Sequence, residues 1–286
     1  MNMAFAEPPR LMGNFVPHQR YWFANAKSLA RSKYNQMFRR QLIIQSFYAG
    51  LGDHLFLSHL PRIAKESGKY EKVLVSNRSV FRDQAFRRLV WDSNRHVDGF
   101  TDEPGFGLLP PHTQHREQSE LYGWFFRLGL ETRITRVRKG CNLLDEFMLG
   151  MGLDDGLRFH EPEIHLDIPR IKEYENLAVY DPNYVTNVGA VSSRQIEAYF
   201  DQAGVVIDAQ MAARNNSVPV SKVTQTITTK DLLDFCSVIV SCRELYCLTT
   251  GTATLAAALK KRCTVLFGDG VNPIYHHSRL HRYVKI

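Results

Sequence analysis

The sequence predicts an α/β protein made of two halves, each built on a mostly parallel β-sheet. Branched and aromatic runs of strand length alternate with segments of helical spacing, and this alternation starts afresh near residue 177. A glycine-bearing turn leads from strand into helix in both halves, at Gly50-Leu51-Gly52 and at Thr250-Gly251.

Gln41 to Tyr48 reads as a buried strand closed by Ala49-Gly50-Leu51-Gly52. From Asp53 the apolar residues Leu55, Leu57, Leu60, Ile63 and Ala64 predict a helix ending near Gly68, and Lys72 to Ser76 reads as the next strand. This is a βαβ unit, whose parallel strands require a right-handed crossover. A second helix is predicted over Val80 to Trp91, and the proline-bearing stretch Thr101 to His115 reads as an irregular loop. Helical spacing returns at Leu121 to Leu128 and Leu143 to Met151, before the strand-like Pro162 to Leu166. In the second half the predicted strands are Leu177 to Tyr180, Val205 to Asp208, Val238 to Ser241, Cys263 to Phe267 and Tyr283 to Ile286. Helices fall between them near Ser192 to Ala203, after a capping box of Thr228 with Asp231 and through Phe235, and over Thr252 to Lys260. The halves join near residues 167 to 175. Each is a Rossmann-like unit: 39–168 and 169–286, preceded by a basic and aromatic extension at 1–38 that either packs across the first unit or touches a membrane surface or nucleic acid.

At 286 residues, 44% hydrophobic and 23% charged, the chain has the composition of a folded globular protein with core enough for two domains. It has no apolar run of spanning length and no apolar signal core before Arg20, so a cytoplasmic location is expected. The five cysteines show neither paired CxxC spacing nor a histidine partner set, which predicts free thiols and no zinc site. A net charge of +7 favours an anionic partner: a nucleotide, a phosphorylated glycolipid, an acidic membrane surface or nucleic acid.

Two segments carry chemistry. A strand running into Gly50-Leu51-Gly52-Asp53 and a helix turns tightly and aims backbone N–H groups at an anion. The third glycine of the dinucleotide fingerprint is missing, which argues against a nicotinamide or flavin. Asp53, on the helix's first turn, is either an N-terminal structural carboxylate or a base kept ionised by the helix dipole. In the second segment, Thr249, Thr250, Gly251 and Thr252 open a helix where hydroxyls and backbone N–H groups converge, a seat for a diphosphate. The alternative is that Thr249 and Thr250 only cap the helix. His276, beside His277 in the loop after the last clear strand of the second half's core, is a candidate ligand contact.

The order of Gly50-Leu51-Gly52-Asp53 with Pro61 following, Met151-Gly152-Leu153 into Pro162 to Leu166, and Thr250-Gly251 through Leu255 to Leu259 and on to Val265-Leu266-Phe267-Gly268 resembles the ADP-heptose lipopolysaccharide heptosyltransferases, glycosyltransferase family 9, and their GT-B relatives. The resemblance covers roughly residues 41 to 286, discontinuously. It implies two Rossmann-like domains facing a cleft, the first on the acceptor side and the second binding a nucleotide sugar. It implies an inverting transfer without metal or cofactor to a hydroxyl of a glycan or glycolipid of lipopolysaccharide or capsule type, at or near the inner membrane surface. Asp53 falls at the family's catalytic aspartate, Thr250 and Gly251 in its phosphate-holding loop, and Arg194 is the nearest match to its basic diphosphate contact. Where the family usually writes Asp-Ser-Gly-x-x-His this chain has Thr249-Thr250-Gly251-Thr252-Ala253-Thr254, so a donor other than ADP-heptose is admitted. Two further readings stay open: a DNA-modifying glycosyltransferase, on the arginine-rich segments 127–139 and 279–282, and a non-catalytic nucleotide-sugar-binding protein, on the altered loop.

Overall fold

The computed structural model describes residues 34–35, 37–46, 48–105, 137–185, 188–214 and 216–286. The expected helix at 121–128, most of the extension at 1–38 and the greater part of the 101–115 loop lie outside the described residues.

In the first half, β1 (Gln41–Ile44), β2 (Lys72–Ser76) and β3 (Gly99–Thr101) form a parallel three-stranded sheet in that order. The crossover from β1 to β2 holds two short helices, α1 (Leu51–Leu55) and α2 (Leu60–Glu66), in place of the continuous helix expected from 53 to 68. Pro61 sits in the first turn of α2, where its missing N–H and fixed φ are tolerated, so the chain restarts its helix there. The expected helix over 80–91 is a single turn, α3 (Gln84–Arg87), capped by Asp83, that widens into a π-helical turn over Arg88–Asp92. α4 (Leu143–Gly150) follows its prediction; the Asn142 side chain accepts the Asp145 N–H, and the Asp145 carboxylate accepts the Asn142 N–H.

The second half is a six-stranded, wholly parallel sheet in the order β6-β5-β4-β7-β8-β9. Its strands are β4 (Ala178–Asp181), β5 (Ala209–Met211), β6 (Gln225–Ile227), β7 (Glu244–Leu248), β8 (Thr264–Phe267) and β9 (Arg282–Lys285). Three helices, α5 (Ser193–Ala203), α6 (Leu232–Ser241) and α7 (Gly251–Ala258), lie between them. Alternate residues serve opposite faces: Val179, Cys247 and Val265 join the apolar cluster shared with Leu42, Leu55 and Phe147, whereas Tyr180, Leu248 and Leu266 pack with Ile196 and Phe200. Both faces are covered, as a parallel sheet requires.

Three predicted strands are corrected. Val238 to Ser241 is the last turn of α6, not a strand; a short run buried all round has no periodicity to separate strand from helix, and Asp231, rather than Thr228, caps the helix by accepting the Asp234 N–H. Val205 to Asp208 precedes its strand, because Gly204 closes α5 in a left-handed turn and the Asp208 carboxylate accepts the Ala178 N–H, so pairing starts at Ala209. Pro162 to Leu166 joins no sheet; it crosses to α2 and the turn before it, where the Glu163 N–H donates to Ser58 Oγ at 2.7 Å and the Glu163 carboxylate pairs with Arg62 at 2.8 Å.

Candidate active site

Gly50 begins α1 in an extended conformation, and the Asp53 carboxylate folds back to accept the Gly50 N–H at 3.2 Å. A Cβ at position 50 would stand 2.7 Å from that carboxylate oxygen, so any other residue there would make the Asp53 side chain shift. His54, behind it, is buried; Trp91 Nε1–H donates to its Nδ1 at 3.0 Å, which makes Nε2–H the donor to the Val80 carbonyl at 2.9 Å. Phe81 stacks on the same ring. Burial pushes His54 down to about 4, so the imidazole is a neutral strut fixing the back of α1.

The dipole expectation for Asp53 is corrected. α1 has five residues and a small dipole, and burial raises the Asp53 pKa to about 6, against the opposing pull of the Gly50 N–H and the Arg82 charge. A carboxylate poised near neutrality has the basicity of a general base.

α7 begins where β7 ends. Thr250 is its cap, the hydroxyl accepting the Thr252 N–H at 3.2 Å, and Thr249 is buried with its hydroxyl toward the Leu266 carbonyl. The capping alternative is thus met by Thr250 alone. Thr252 turns inward and donates to Asp181 at 2.6 Å. At its back, His281 Nε2–H donates to the Ala253 carbonyl at 2.8 Å, and its Nδ1 faces the Cys263 thiol at 3.3 Å.

These two segments meet. A Cβ on Gly52 would stand 3.3 Å from Gly251 Cα, and one on Gly251 would stand 3.3 Å from Gly52 N. The backbones of α1 and α7 touch through a pair of glycines, one residue from Asp53 on one side and one residue from Thr250 on the other. The same junction is tied further out by Asn142, whose Nδ2 donates to the carbonyls of His160 at 2.7 Å and His277 at 2.6 Å, and by Phe56, edge-on to His277.

The remaining expected residues lie outside this contact. Arg194 is exposed in the first turn of α5, the helix after β4, and forms no hydrogen bond or ion pair among the described residues. His276 is half-buried and held between Phe267 and Tyr283, with ring centroids at 4.6 and 4.3 Å; burial lowers its pKa. The five cysteines are free thiols, four of them buried. A hollow of about 300 Å³ between the turn at Glu173–Tyr174 and the edge strand β6 contains none of the expected site residues.

Sequence reasoning missed Asp181 and Asn142, and took His277 with His276 for a ligand contact where its carbonyl instead accepts from Asn142. Asp181 has a legible signal, a charged residue at the carboxyl end of a central parallel strand. The contact of Asn142 with His277 joins residues far apart in the chain and has none.

No protein-family model and no curated protein matches the sequence. Solved structures match the fold. A glycosyltransferase family 9 protein from Veillonella parvula superposes with a TM-score of 0.50 at 12% identity, over 88% of this chain and 86% of that one. ADP-heptose lipopolysaccharide heptosyltransferase II of E. coli gives 0.51 at 12% identity, over 85% and 89%. The iron-containing dodecameric glycosyltransferase TibC of enterotoxigenic E. coli gives 0.52 at 12% identity, over 84% of this chain and 61% of that one. At such identities the likeness is one of fold: this chain has the α/β fold of the family 9 glycosyltransferases.

Proposed function

We propose that the protein is a glycosyltransferase of GT-B type, moving a sugar from a nucleotide-sugar donor to a hydroxyl of a glycan or glycolipid. The observation that carries this reading is the Gly52–Gly251 contact, which brings the helix turn bearing Asp53, a carboxylate of pKa about 6, against the first turn of α7. The domain at 39–168 presents the acceptor and that at 169–286 the donor, across a cleft at the carboxyl ends of both sheets. Asp53 takes the proton from the acceptor hydroxyl, whose oxygen attacks the anomeric carbon; the bond to the nucleoside diphosphate breaks with inversion. The Gly50 and Gly52 turn shapes the floor of the cleft. Thr249 to Thr252 and Arg194 hold the diphosphate and stabilise its developing charge without a metal, the electrostatic contribution that dominates such reactions. His276 lies in the loop that closes the donor side. A glycolipid acceptor would bring the protein to the inner membrane surface.

The test begins with a thermal-shift screen of nucleotide sugars, since a ligand that binds only the folded state raises its melting temperature. With the donor found, kcat/KM should rise with pH through a midpoint of about 6, and Asp53→Asn should lower it by about 10² to 10⁴ while leaving nucleotide affinity nearly unchanged. Full transfer activity in Asp53→Asn would remove Asp53 as the base. Binding without turnover on any glycan acceptor would replace this proposal by the non-catalytic reading.

A further inference from the structure

Asp181 is the last residue of β4, and β4 lies beside β7 where the strand order reverses, β5 and β6 running to one side and β7 to β9 to the other. Ligands of open parallel sheets bind outside the carboxyl ends of the strands at that reversal. The carboxylate there is 2% exposed. One oxygen accepts the Thr252 hydroxyl at 2.6 Å, and the other accepts the Asn183 N–H at 3.2 Å and Asn183 Nδ2 at 2.8 Å. Asn183 is itself fixed, donating to the Ala212 carbonyl at 3.1 Å and accepting the Arg214 N–H at 2.7 Å. Asp181 is therefore a rigid acceptor aimed at the second residue of an eight-residue helix.

What this does to α7 follows from its first turn. The Thr252 N–H is taken by Thr250 Oγ1 and the Ala253 N–H by the Thr250 carbonyl, whereas the Gly251 N–H forms no hydrogen bond among the described residues. A threonine hydroxyl not held inward is free to rotate to its other staggered positions, so the first turn it belongs to loses its tie to the sheet. We propose that Asp181 is a positioning residue for the donor's diphosphate: it holds the Thr252 hydroxyl inward, so that the first turn of α7 presents the Gly251 N–H to the anion. This rests on the glycosyltransferase reading and adds to it a residue that never touches the donor. Burial raises the Asp181 pKa, against the opposing hydrogen bonds from Thr252 and Asn183.

The experiment is calorimetric titration of the full chain with ADP, UDP, GDP and CDP in turn, using the tightest as probe. Asp181→Ala and Thr252→Val should each weaken binding about tenfold, equivalent to about 1.4 kcal/mol. Thr252→Ser keeps the hydroxyl and should stay within about threefold, as should Asp181→Asn, whose amide donates to Thr252 Oγ1 while its carbonyl accepts from Asn183. The double variant Asp181→Ala/Thr252→Val should be no weaker than either single one, because the two act through one contact. Simple loss of packing would lower the melting temperature without that non-additivity or the rescue by Asn. If Asp181→Ala does not fold, the Thr252→Val and Thr252→Ser pair decides. Wild-type binding matched by Thr252→Val or Asp181→Ala overturns this inference and leaves the glycosyltransferase reading standing. A wild type that binds none of the four overturns both.

Discussion

Replacing Asp53 with asparagine should make the protein more stable, and only above the pH at which Asp53 ionises. The carboxyl is raised from 3.8 to about 6 in the folded protein, so between those values the folded state binds a proton that the unfolded state has released. Folding is favoured below 3.8, where both states are protonated, and this advantage is lost as pH rises through about 6. Roughly two pKa units correspond to about 3 kcal/mol of stability forgone at pH 8. Asparagine keeps an acceptor for the Gly50 N–H without a charge to desolvate, so it recovers much of that sum. For a chain of this length 3 kcal/mol amounts to about 5 °C in melting temperature. Circular-dichroism melts of the wild type and Asp53→Asn from pH 4 to 8.5 measure it: the curves should coincide near pH 4 and separate with a midpoint near 6, the variant higher. A difference that ignores pH, or a variant less stable at pH 8, would refute burial as the force acting on Asp53. Paired with loss of transfer, the gain would mark a residue kept at a cost to stability for its chemistry.

Other outcomes follow from the same contacts. Gly52→Val sets a branched side chain against Gly251 Cα, where even a Cβ stands at 3.3 Å, and should cost about 1 to 3 kcal/mol in urea unfolding, with Ala milder. His160 is buried between Asp145 at 2.6 Å and Asp155 at 3.0 Å; burial alone would lower its pKa, but the two carboxylates outweigh that and raise it. Its contribution is whole below the unfolded value of 6.5 and lost as pH rises through the raised one, while the depressed Asp145 needs pH above 3.8. His160→Gln should therefore cost about 3 kcal/mol near pH 5.5 and less near pH 8.5, as read by denaturant unfolding at the two pH values. Arg194→Ala should raise the donor KM several-fold with little change in stability, because the side chain is exposed in the first turn of α5; an unchanged KM would take Arg194 out of the donor site.

Local chemistry made much of the frame readable in the sequence. β1, β2, β4, β8 and β9, together with α4, α5 and α7, follow from runs of matching period, with Thr250 as the cap of α7, since each signal lies within a few residues of what it specifies. Val238 to Ser241 misleads because a segment buried on every side shows no face, and strand and helix then read alike. Pro162 to Leu166 misleads because a short extended run pairs only where a partner edge is open, and here Glu163 ties it to Ser58 and Arg62 instead.

For the site, the parts were readable in the sequence: a glycine turn from strand into helix with Asp53 on the helix's first turn, and a threonine-rich helix start at Gly251. Packing added the rest: the Asp53 carboxylate folds back on Gly50, the two segments touch glycine to glycine, burial rather than a helix dipole sets the Asp53 pKa, and Asp181 stands behind Thr252. The physical reason is range. Turn, cap and period are written in neighbouring residues, whereas desolvation and contact belong to groups that are distant in the chain until the sheets and the helices between them have packed.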